Sequence, residues 1–90
     1  MAQDHKVALF LLRKSAEQGT AAAQLALGEL YAEGLGIKQD AVQAYKWFKL
    51  AEMAGEERAA TKLKAAETGM TPEQIEKAQS LAQQEAPKAK

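Results

Sequence analysis

Cysteine is absent from this chain of 90 residues, which excludes a disulfide frame, a thiolate nucleophile and a cysteine-based metal site. Histidine is nearly absent. The one present, His5, stands beside Asp4 and Lys6 near the N-terminus, and acid–base catalysis would need a partner that the sequence does not supply. It reads as a solvated side chain. An excess of charge is also missing: 12 basic and 12 acidic residues give a formal net charge of +0, so nothing favours a nucleic acid or an acidic membrane surface. Long apolar runs are lacking. Residues 7–12 are all apolar, but the run is too short for a signal core or a membrane span and leads into Arg13 and Lys14. These absences imply a cytoplasmic protein with no cofactor, or a periplasmic one if the chain derives from a secreted precursor.

The hydrophobic fraction is 47%, but alanine supplies much of it, and only 6% of the residues are aromatic. The large apolar side chains are Trp47, Phe10, Phe48, Tyr31, Tyr45 and a set of leucines. A thin, alanine-rich core suits a solenoid, in which each element packs only on its neighbours.

Helical periodicity dominates. Ala23, Leu27, Leu30 and Tyr31 share one helix face, and Ala44, Trp47, Phe48, Ala51 and Ala54 share another. Gly34 ends the first of these helices, and Asp40 has the side chain to cap the second. Ile37, the branched apolar residue in the connection, is expected to fold back and plug the hairpin. Gly28 sits in a helix interior, where glycine is about 1 kcal/mol worse than alanine. A ring, that of Trp47 or Phe48, is expected to lie against it.

The chain partly matches itself at one fixed offset: Asp4 falls on Asp40, Ala8 on Ala44, Gly19 on Gly55, Ala23 on Ala59 and Leu27 on Leu63. This predicts one helical domain over residues 1–84. It comprises a half repeat at 4–19, a full repeat at 20–55, a degenerate half repeat at 56–69 and a capping helix at 71–84, with a disordered tail at 85–90. Asp4 would cap the first helix, whose inner stripe is Ala8, Leu11, Leu12 and Ser15. Thr71, Pro72 and Gln74 supply an N-cap, a first-position proline and a capping-box glutamine for the last helix, whose apolar stripe, Ile75, Ala78, Leu81 and Ala82, is expected to cover the far side of the fourth helix at Leu63.

The central hairpin resembles the tetratricopeptide repeat in Leu27, Gly28 and Tyr31, then Ala44 and Phe48. Its longer connection, with Gly34, Gly36, Ile37 and Asp40, looks like the Sel-one-like repeat, the extended-loop relative of that family. Glu52 departs from that family's preference for a second small residue after Ala51. The cysteine-rich branch of the family is a poor match. The resemblance implies an all-α fold, a short right-handed α-solenoid of about five antiparallel helices. It implies a protein-interaction module rather than an enzyme, with a peptide or protein as partner.

By the same resemblance the binding surface is lined by Ala22, Leu25, Glu29 and Ala32 of the second helix and by Arg58, Thr61, Ala65 and Thr68 of the fourth. Glu29 and Glu33, one turn apart, read as a solvated face. No strand precedes Gly34 and Gly36, so they do not indicate a phosphate loop. A structural or self-associating unit without a ligand is the alternative. Val7, Leu9 and Phe10 give the first helix a second apolar face, rimmed by Lys14, through which the chain would form a homodimer or dock a partner.

Overall fold

The computed structural model describes residues 5–86, which form α-helices and no strand. The helices are α1 (His5–Glu17), α2 (Ala21–Glu33), α3 (Ala41–Met53), α4 (Arg58–Glu67) and α5 (Pro72–Glu85). Asp4 lies outside the described residues, as do residues 87–90 of the expected tail.

The helix ends follow local chemistry. Gly34 takes φ 73°, the left-handed conformation open to glycine, and its N–H donates to the Leu30 carbonyl at 2.8 Å. The connection to α3 is then stitched back onto the last turn of α2. The Asp40 N–H donates to the Tyr31 carbonyl at 3.0 Å, and Gln39 Nε2 donates to the Ala32 carbonyl at 2.8 Å. Ile37 packs partly buried against the core. Asp40 Oδ1 accepts from the Gln43 N–H at 3.1 Å and so caps α3. At α5 the capping box is complete: the Thr71 hydroxyl accepts from the Gln74 N–H, and Gln74 Oε1 accepts from the Thr71 N–H.

The main packed pairs are α1 with α2, α2 with α3, α3 with α4, and α3 with α5. Helix α3 is therefore the hub. It is buried without interruption from Ala44 through Phe48 and again at Leu50 and Ala51. A helix buried on all sides needs neighbours on all sides, and α3 has three. The Phe48 ring packs on α2 at Gly28, where a Cβ would come within 2.6 Å of ring carbons Cδ1 and Cε1. Only glycine lets the two helices approach this closely.

Three expectations need correction. First, the inner side of α1 is rotated. Leu9, Leu12 and Ala16 face the core, whereas Ala8 and Leu11 are exposed, Leu11 by 60%. The offset equates Leu11 with Trp47, but α3 is covered from three sides and α1 mainly by α2, so the same register position loses its cover. Second, α5 seats on α3 rather than on the far side of α4. Third, Glu85 belongs to α5 and not to a tail. It pairs with Lys46 of α3 at 2.9 Å, whose side chain is only 6% exposed and whose ammonium also stands 4.4 Å from the Trp47 ring centre.

Candidate functional site

Helices α2 and α4 flank α3 and run antiparallel to it: the start of α3 meets the end of α2 at Asp40 and Tyr31 while Phe48 lies further back at Gly28, and Tyr45 near the start of α3 reaches Glu67 in the last turn of α4. The space between their walls is a groove of about 610 Å³. Ala41, Ala44 and Phe48 of α3 form its floor. Glu29, Ala32 and Glu33 form the α2 wall, and Lys62, Ala65 and Ala66 the α4 wall. Gln39, Thr68 and Gly69 also border it. Its volume falls within the range of roughly 300–1,000 Å³ that holds a small ligand. Alanine on both walls leaves room for a guest chain to approach the backbone.

One ion pair links the walls: Lys62 Nζ lies 3.0 Å from Glu29 Oε2, with both side chains about two-fifths exposed. A pair this open to solvent stabilises by less than about 1 kcal/mol and is readily exchanged for another partner. Glu33 is exposed and, among the described residues, makes no ion pair. The last turn of α2 contains no basic residue.

The residues expected to line the surface divide. Glu29, Ala32, Ala65 and Thr68 border the groove. Ala22 and Thr61 are exposed outside it. Leu25 is a correction: it is 4% exposed and belongs to the core, because α2 is enclosed by α1 and α3 and is buried continuously from Ala23 to Leu25. Arg58 is tied to its own helix start, with Nε 2.8 Å from Glu56 Oε2; that hydrogen bond holds the Glu56 carboxyl below its ordinary pKa. On α1, Val7 and Phe10 are more than half exposed, but Leu9 packs against the core, and Leu11 takes its place on the outer face. A second, more apolar groove of about 500 Å³ lies where Ala8, Leu9 and Leu12 meet Leu30, Leu35 and Gly36.

The sequence missed Lys62, Glu33 and the α3 floor. The spacing of Glu29 and Glu33 was legible, but two acids one turn apart also describe a solvated face. Phe48, 2% exposed, belongs to the core and backs the groove from beneath. Among the described residues no group of three or more His, Cys, Asp or Glu could hold a metal ion, and no helix is long and apolar enough to cross a membrane.

Comparison with family models matches the Sel1 repeat at residues 1–20 and again at 21–56. A comparison with curated proteins found no match. Among solved structures, the chain is similar to a protective antigen present in uropathogenic Escherichia coli strains and displaying an SLR fold. The two are 40% identical with a TM-score of 0.84, over 91% of this chain and 18% of that one. The five helices are thus an all-α helical-repeat solenoid, a repeat fold of a kind that generally serves protein interaction.

Proposed function

The chain belongs to the Sel1 repeat family, and from that premise we propose that it is a protein-binding module whose ligand, a peptide or protein segment, lies in the groove between α2 and α4. The observation that supports this most is the groove itself: the space between two walls of alanine and charge, open at Ala32, Ala41, Ala65 and Ala66 and backed by the buried Ala44 and Phe48. Ala65→Trp tests it, since Ala65 is exposed and borders the groove, so the indole fills the space without entering the core. Peptides selected on the parent from a displayed random library are expected to lose binding to this variant while its melting temperature stays unchanged. Selected peptides that bind both proteins equally would place the ligand elsewhere. Leu25→Glu is not a suitable probe, because a charge at a buried position unfolds the helix pair instead.

Self-association is a second reading, favoured by the outer face of α1. Val7, Phe10 and Leu11 are 52%, 58% and 60% exposed. A second copy meeting the first through this face would cover it in both, as a two-fold contact does. Sedimentation of the parent and of Phe10→Lys at tens of micromolar decides the matter. A dimeric parent and a monomeric variant are expected on this reading, and a monomeric parent rules it out.

A further inference from the structure

The polar groups around the α2–α4 groove are unbalanced. Acceptors dominate: the carboxylates of Glu29 and Glu33, the side-chain oxygen of Gln39, and the hydroxyl oxygen of Thr68. Of the donors that could balance them, one of the two Gln39 amide hydrogens and the Thr68 hydroxyl are already engaged. Gln39 Nε2 donates to the Ala32 carbonyl at 2.8 Å, and Thr68 Oγ1 donates to the Ala65 carbonyl at 2.7 Å. Among the described residues Lys62 is the one base bordering the groove, and it is engaged with Glu29.

The α2 wall also works against its own helix. Carboxylates one turn apart repel each other, and both stand in the C-terminal half of a helix whose carbonyl end already carries partial negative charge. Lys62 offsets this at Glu29, but no base in the last turn relieves Glu33. Such local conflicts are expected where a ligand resolves them.

We infer that the guest in this groove is an extended peptide bearing an arginine or lysine side chain, whose cation is received by Glu33 and Glu29 while Lys62 is released from Glu29. This rests on the groove being the binding site. The lining suits the rest of such a side chain, because its methylene stem lies on the accessible alanines Ala32, Ala41, Ala65 and Ala66 while its head reaches the carboxylates. A guanidinium brings five donors and no acceptor to a site rich in acceptors.

The probe is an array of acetylated, amidated heptapeptides with arginine fixed at the centre and small or aliphatic residues elsewhere, beside a matched array with norleucine at the centre. The arginine set is expected to bind the parent about tenfold or more tightly than the norleucine set, the scale of a hydrogen-bonded charge. Glu33→Gln, a change at an exposed position, should remove most of that preference, and added salt should weaken it. Ala65→Trp should abolish binding of both sets. Equal binding of the two sets, blocked by Ala65→Trp, overturns the cationic guest and leaves the groove in place. Binding that Ala65→Trp does not block overturns the groove and the inference together. No binding of the arginine set to the parent overturns the inference, as does a preference for arginine that survives in Glu33→Gln.

Discussion

At Gly28 two opposing effects can be weighed. Alanine is the better helix former by about 1 kcal/mol. Its methyl, however, would meet two carbons of a buried ring at 2.6 Å and the Ala44 carbonyl at 3.2 Å. Overpacking of this sort costs about 1–3 kcal/mol, and the Ala44 carbonyl, being helix backbone, yields less readily than a side chain. Gly28→Ala is therefore expected to melt several degrees below the parent, whereas Gly69→Ala, with nothing within 4 Å, should not lower the melting temperature. That a ring would sit on Gly28 was legible, because glycine inside a helix breaks the local preference. Which ring was not, since Trp47 and Phe48 are adjacent and only the final rotation of α3 chooses between them. Truncating Phe48 should cost about 3–5 kcal/mol, a large share of a small domain's roughly 5–15 kcal/mol, so Phe48→Ala should be largely unfolded by circular dichroism at physiological temperature. Tyr45 gives a test in pH. Burial, then its hydrogen bond to Glu67 at 2.8 Å, raises the phenol above its ordinary pKa of 10.0. A raised value means the folded state holds the proton more tightly than the unfolded one. Its contribution is complete below the ordinary value and is lost as pH rises through the folded one. The parent's melting temperature should fall more steeply than that of Tyr45→Phe in this alkaline window; parallel curves would show that the phenol does not titrate with folding.

Among the elements, α5 depends most on a contact that the sequence hid. Its N-terminal signals in Thr71, Pro72 and Gln74 were plain, since capping is local chemistry. Its seat on α3 was not, because a helix with one apolar stripe does not say which neighbour receives it. The C-terminal end of α5 is fixed by Glu85 on Lys46. A chain ending at Ala86 should melt like the parent, but one ending at Gln84 leaves the Lys46 ammonium buried without a carboxylate. With Glu85 43% exposed, solvent screens the pair, and the loss is expected near 1 kcal/mol rather than the cost of a fully buried pair. Lys46→Met in the full chain should be neutral or stabilising, because it removes the buried charge along with its need for a partner. Thermal melts of the three proteins decide this, and a Gln84 truncation indistinguishable from the parent would show that the pair contributes nothing.

For the molecule as a whole, the repeat pattern made the solenoid legible, but a repeat pattern treats every unit as if it had the same neighbours. That is why the face of α1 was mistaken at Leu9 and Leu11, and why Leu25 was taken for surface. The radius of gyration is 12.7 Å and the extents are 42 × 35 × 20 Å, a flattened body with α3 at its middle. Unequal enclosure also orders the helices in time. Amide hydrogens of α3 are released to solvent only when three packed neighbours part, an event close to unfolding of the whole. Those of α1, held chiefly through α2 by Leu9, Leu12, Ala16 and the 2.7 Å bond from Arg13 to the Tyr31 hydroxyl, are released by one small local opening. In native-state exchange the middle of the sequence should therefore trade its hydrogens last and the first helix early, so that the chain comes apart from its edge while the walls and floor of the groove remain assembled.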